Sequence, residues 1–275
     1  MSDYATPHGG VPPQTQLLSR RAVFTPAYAV IPRRVMTDIV TTQFPAWTGQ
    51  RAWVLARPMT GFAETFVEQI VELVPGGGSD APEPDPSSEA ILFVTGGQLT
   101  LTISGTDHDV EPGAYAYIAS ETRWSIWNAS KDVASFVWIR KRYCPVPGYS
   151  FPASFVTREQ DVPIAPMPQS NGTWGTQRFI EDGDLSHDME VNIVTFEPGG
   201  VIAFAETHVM EHGIYVLEGK GVYRLNTDWI EVEAGDFMWL RAFCPQACYA
   251  GGPGRFRYLL YKDVNRHPAL GLKEL

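Results

Sequence analysis

The chain has 275 residues, of which 44% are hydrophobic and 19% charged, and a formal net charge of −10. That profile is globular rather than disordered, and the length supports one large or two ordinary domains, each with its own core. The acidic balance argues against nucleic acid or an anionic membrane as partner, and no apolar run reaches the ~20 residues that span a bilayer.

The first 16 residues are polar and hold no apolar signal core, so a cytoplasmic location is expected. Residues 1–40 precede the first periodic segment and read as an arm that packs on a partner subunit or on the second half of the chain. Short apolar or alternating runs follow at 66–73, 90–94, 133–139, 191–196, 214–217 and 258–261, punctuated by Gly, Pro and Asp. No long window keeps a helical period. The expected fold class is therefore all-β. Segment 76–88 is rich in Gly, Pro and acid and reads as a flexible loop; 145–169 is Pro-rich and reads as a linker. The run Arg140-Lys141-Arg142 reads as a solvated strand end. Three cysteines, Cys144, Cys244 and Cys248, fit a reducing compartment better than a disulfide framework.

The chain repeats itself. Val74-Pro75-Gly76-Gly77 returns as Glu197-Pro198-Gly199-Gly200, and the stretch from Glu89 to Gly96 returns from His212 to Gly219, both at an offset of 123 (198 − 75 and 212 − 89). Val110-Glu111-Pro112-Gly113 returns as Val232-Glu233-Ala234-Gly235 at 122 (235 − 113). Three landmarks at nearly one shift indicate two copies of one all-β domain. The expected division is an arm and first domain at 1–150, and a second domain at 151–275.

Chemistry concentrates in the second copy. Glu206-Thr207-His208-Val209-Met210-Glu211-His212 is followed by Gly219, and Gln246 lies eleven residues past Gly235 (246 − 235). Glu206 and His208, two apart, share a face if extended, and His212 opens the next strand. Oxygen and imidazole donors without a thiolate suit Mn²⁺ or Fe²⁺ better than a structural Zn²⁺. The first copy carries Glu89 where His212 stands and Trp124 where Gln246 stands, so it is expected to be metal-free. Cys244 and Cys248 would fall on the side of Gln246, as pocket lining or as small buried hydrophobes. His187 and His267 lie in loop-like sequence and carry no expected role.

The pattern resembles the cupin family, whose first motif runs His-x-His, three or four residues, Glu, six residues, Gly, and whose second places a final His eleven residues after a Gly. The spacing is kept here, while three ligand identities change. Together with Glu218-Gly219-Lys220-Gly221-Val222-Tyr223-Arg224-Leu225, Pro245-Gln246 and Tyr258-Leu259-Leu260-Tyr261-Lys262-Asp263-Val264-Asn265-Arg266, it is similar to the (S)-ureidoglycine aminohydrolases, bicupins of purine-ring catabolism. The first half joins by architecture and by the segment from Lys141 to Tyr149.

That resemblance implies two tandem double-stranded β-helix (jelly-roll) barrels, the second catalytic. It implies Mn²⁺, with Fe²⁺ or Zn²⁺ as alternatives, held by Glu206, His208, His212 and Gln246. It implies a small-molecule substrate contacted by Glu206, Gln246, Tyr258 and Lys262, with Tyr223 a further contact, and a homo-oligomer. The implied reaction exchanges the α-amine of (S)-ureidoglycine for a hydroxyl, giving (S)-ureidoglycolate and ammonia. Glu206 and Lys262 would be the catalytic pair, Lys262 meeting the substrate carboxylate as a point charge. Plainer readings stand beside this one: Lys262 as a surface lysine, Tyr223 and Tyr258 as barrel filling, another metal-dependent cupin (an oxygenase or isomerase on a small carboxylate), or a metal-free binding cupin.

Overall fold

The computed structural model describes residues 22–35, 42–58 and 61–264, so Asn265, Arg266, His267 and most of the N-terminal arm lie outside it. Strands dominate. The first half carries β1 (Val23–Phe24), β2 (Tyr28–Ile31), β3 (Thr48–Ala56), β4 (Val67–Ser79), β5 (Ser88–Gly96), β6 (Leu99–Ile103), β7 (Thr106–Val110), β8 (Ala114–Ile118), β9 (Trp124–Trp127) and β10 (Ala134–Arg142). The second carries β11 (Phe155–Arg158), β12 (Ala165–Pro166), β13 (Trp174–Gln177), β14 (Met189–Phe196), β15 (Val201–Glu206), β16 (His212–Glu218), β17 (Lys220–Leu225), β18 (Asp228–Glu233), β19 (Phe237–Leu240), β20 (Gln246–Ala250) and β21 (Phe256–Asp263). All pairings are antiparallel, as short strands joined by Gly- and Asn-bearing turns dictate.

The internal repeat is visible in the topology. The first barrel orders its main sheet β11-β8-β5-β10-β4, with β3 on β4; the second orders it β2-β19-β16-β21-β14-β13. A smaller curved sheet closes each barrel, β4-β9-β6-β7 in the first and β15-β20-β17-β18 in the second. Because β4 extends to Ser79, residues 76–79 are strand, pairing Gly78 with Trp127 and Ser79 with Ile126; the irregular loop is shorter than the sequence suggested.

The halves exchange a strand. Tyr28–Ile31, from the N-terminal arm, pairs with β19 of the second barrel. Phe155–Arg158, within the expected linker, pairs with β8 of the first. The strand pairing thus crosses residue 150 in both directions.

Alternation along the strands separates three cores. Ala90, Leu92, Val94, Trp124, Phe136 and Trp138 fill the first barrel. Ile214, Val216, Tyr223, Cys248 and Tyr258 line the second. The opposite faces of both main sheets pack together, Ile91, Phe93, Tyr115 and Tyr117 meeting Ile193, Phe237, Trp239 and Tyr261. The Phe66 and Tyr261 rings stack across this junction at 3.9 Å.

Polar groups inside the junction are few and consequential. The Glu211 carboxylate accepts from the backbone N–H of Glu64 at 3.0 Å and of Thr65 at 2.6 Å, from the Thr65 hydroxyl, and from Trp239 Nε1 at 2.8 Å, so it ties the β3–β4 loop to the second barrel. Glu68 is fully buried with neither carboxyl oxygen hydrogen-bonded, and burial pushes its pKa up to about 8. Its Oε2 stands 2.4 Å from where a Cβ at Gly213 would sit, so the two sheets approach there only because that residue is glycine.

Strand registry corrects two readings. Glu89 faces the junction, where it accepts from the Tyr117 hydroxyl at 2.7 Å; Ala90 faces the barrel interior and is the true counterpart of His212. The offset in this strand is therefore 122, like that of the third landmark, and Glu89 matches Glu211 (211 − 89). The run at 140–142 is also not simply solvated. Arg140 pairs with Glu83, and Lys141 Nζ lies 2.6 Å from Asp188 in a largely buried bridge.

Candidate active site

Seven side chains singled out by sequence gather at one end of the second barrel. Glu206 closes β15, and Gln246 opens β20 directly across from it. His212 opens β16, with Lys262 of β21 as its cross-strand partner. Tyr223 of β17 and Tyr258 of β21 lie deeper, inside the barrel core. His208 sits in the turn past β15 rather than in a continued strand, held where its carbonyl accepts from Phe243 N–H at 2.7 Å.

The donors are near one another. His208 Nε2 lies 3.3 Å from Glu206 Oε1, and the two imidazole rings are 5.1 Å apart between centroids. Two ligands side by side on one small cation are separated by about 3 Å, given bonds near 2.1 Å, so the Glu206–His208 spacing suits a shared ion. As they stand, no three His, Cys, Asp or Glu side chains among the described residues are close enough to enclose one.

The electrostatics favour neutral ligands and protonated hydroxyls. Burial, the neighbouring His208 and the Lys262 charge lower the His212 pKa to about 3 despite nearby backbone carbonyls, so its ring is neutral with a lone pair to donate. Its Nδ1 is buried without a hydrogen-bond partner. Burial also raises Tyr223 and Tyr258 well above the usual phenol range. The Tyr223 hydroxyl stands 3.4 Å from Gln246 Oε1 and 3.2 Å from the Tyr258 hydroxyl. Cys248 and Cys244 are both buried, and burial raises each thiol's pKa, with the Glu206 charge adding to the effect at Cys248.

Two residues escaped the sequence reading. Lys262 Nζ is 3.0 Å from Glu190 Oε2 on β14, and the same oxygen accepts from Asn192 Nδ2 at 3.2 Å. Lys262 is thus a paired, mostly buried cation rather than a surface lysine. The available signal was Glu190 and Asn192 alternating into an apolar face that continues as Val194 and Phe196. His187 is also engaged, its Nδ1 3.1 Å from Asp184, away from this cluster.

In the first barrel the described residues at the matching end offer no comparable donor set. Ala90 stands for His212, Trp124 for Gln246 and Arg140 for Lys262. A cavity of about 460 Å³ remains at that mouth, walled by Pro82, Pro86, Ala90 and Trp124.

The chain matches the cupin domain family over residues 69–140 and 192–261, one segment in each barrel. It is 30% identical over 241 residues to the (S)-ureidoglycine aminohydrolase of Escherichia coli (strain K12), covering 83% of this chain and 86% of that protein. A protein from Oryza sativa subsp. japonica named "Probable (S)-ureidoglycine aminohydrolase" is 34% identical over 232 residues, covering 84% of this chain and 72% of that one. Among solved structures, a "Putative Glyoxylate Induced Protein" from Pseudomonas aeruginosa superposes with a TM-score of 0.89 at 60% identity, covering 99% of this chain and all of the other.

Proposed function

This chain belongs to the (S)-ureidoglycine aminohydrolase family of the cupins, and on that premise we propose that it hydrolyses (S)-ureidoglycine to (S)-ureidoglycolate and ammonia, using a divalent metal, Mn²⁺ by preference. The observation that carries the reading is the gathering of Glu206, His208, His212 and Gln246 in the second barrel alone, with Tyr258 and Lys262 on the strand beside them.

Two imidazoles, a carboxylate and an amide oxygen fit a metal of intermediate hardness, and the neutral His212 supports this. When bound, the ion supplies Lewis-acid polarisation and a template for the substrate. The remaining work falls to the protein. Lys262 meets the substrate carboxylate, and Tyr258 and Tyr223, held protonated by burial, donate hydrogen bonds rather than accept protons. Glu206 is then the carboxylate available to take the proton from attacking water as the new C–O bond forms at the α-carbon. The α-amine departs with that proton as ammonia when the C–N bond breaks.

Purified protein loaded with Mn²⁺ should release one ammonia per ureidoglycolate from freshly generated ureidoglycine and lose that activity to a chelator. Metal-loaded protein that releases none would end the assignment. Assembly into a homo-oligomer belongs to the same reading, supported by the exposed Trp229 and Tyr249 on the outer face of the small sheet; light scattering that gives a monomer mass would remove it.

A further inference from the structure

We propose that Glu190, buttressed by Asn192, is a positioning residue that fixes the Lys262 ammonium for an α-ureido carboxylate ligand; this rests on the substrate class proposed above. Lys262 carries four rotatable methylenes and a strongly hydrated charge, so by itself it defines no single position. Glu190 is 5% exposed, its Oε2 receives both Lys262 Nζ and Asn192 Nδ2, and Asn192 is itself buried on the same strand. The ammonium is therefore held by a buried carboxylate that a second side chain also contacts. Two of its three N–H donors remain for a guest.

The repeat supplies the internal comparison. Lys262 pairs in register with Glu190, and its counterpart Arg140 pairs in register with Val67. The first barrel, with no donor set, places an aliphatic residue across from its cation, and that cation turns to Glu83 in the loop instead. A buried ion pair is a poor source of stability when a hydrophobic pair fits the same place. Both cations thus meet a carboxylate, but only Lys262 meets one on the facing strand, at the fixed register position beside the donor set; Arg140 takes its partner from a loop.

The test is a double-mutant cycle read by calorimetry, with N-carbamoylglycine, the substrate lacking its α-amine, as ligand for Mn²⁺-loaded protein. Losing one well-placed charge-assisted contact weakens binding roughly tenfold to a hundredfold, so K262A should lose about that much. E190Q should weaken binding about tenfold, and E190Q/K262A should be no weaker than K262A alone, because Glu190 acts only through Lys262. With ureidoglycine, E190Q should raise KM while leaving kcat within a few-fold. Should E190Q melt far below the parent, E190D, which keeps the charge and shortens its reach, replaces it in the cycle, with an intermediate loss expected. Additive losses, or an E190Q variant that binds like the parent, would overturn the role of Glu190. A parent that binds N-carbamoylglycine but releases no ammonia from ureidoglycine defeats the functional reading and leaves the cycle to decide on Glu190. A parent that binds no N-carbamoylglycine overturns both.

Discussion

Replacing Glu68 by glutamine should shift relative stability progressively in the variant's favour as pH rises. Glu68 is fully buried, both oxygens lack partners, and its folded-state pKa is raised from 4.5 to about 8. A carboxyl raised on folding keeps its proton in the folded protein while the unfolded chain loses it. Stability is therefore unaffected below the unfolded pKa, falls as pH climbs from about 4.5 to about 8, and levels off beyond. Linkage over that window amounts to about 3 to 4 kcal/mol between about pH 5 and about pH 8, at about 1.4 kcal/mol per pKa unit. The glutamine side chain does not titrate. Its amide lacks partners at every pH, which adds a constant offset that cancels when two pH values are compared. Urea unfolding followed by tryptophan fluorescence, for parent and Glu68→Gln at about pH 5 and about pH 8, reads the difference directly. Every other titrating group cancels between the two proteins. A stability difference that is flat across that range, or that favours the parent more at the higher pH, would refute the buried, unpaired assignment.

Three further outcomes are expected. His212→Ala and His208→Ala should each abolish stoichiometric Mn²⁺ by elemental analysis and cost at least about a hundredfold in ammonia release, whereas Glu89→Gln should keep the metal. Glu211→Ala orphans the buried Trp239 N–H and removes the acceptor of the part-buried Thr65 N–H, and should lower unfolding stability by about 1 to 3 kcal/mol in a denaturant titration. Gly219→Ala should reduce the melting temperature sharply, since Gly219 has φ +79° and an added Cβ would lie 1.9 Å from the Arg255 carbonyl oxygen.

Strand content, the duplication and the location of the donor cluster were legible because each is local: alternation, turn residues and fixed spacing record it directly. What failed depended on pairing between distant segments. Glu89 and Ala90 are adjacent, and only the hydrogen-bond registry with β10 decides which one enters the barrel; a one-residue slip exchanges the faces. Lys141 looked solvated because its partner, Asp188, lies 47 residues away in sequence (188 − 141). Glu190 lay in an apolar run whose facing strand, β21, is remote in the chain. His208 was expected to continue the strand of Glu206, but β15 stops at Glu206 and the turn presents the imidazole instead.

The crossed pairing of β2 and β11 makes each barrel a structural requirement of the other. Excising the C-terminal half on its own would strip β19 of the neighbour that Tyr28–Ile31 provides and leave hydrophobic strand edge bare to water, an invitation to aggregate. The N-terminal half, cut the same way, would lose Phe155–Arg158 from β8. Each lobe is finished by its sibling, so neither can be removed without uncovering the other's edge.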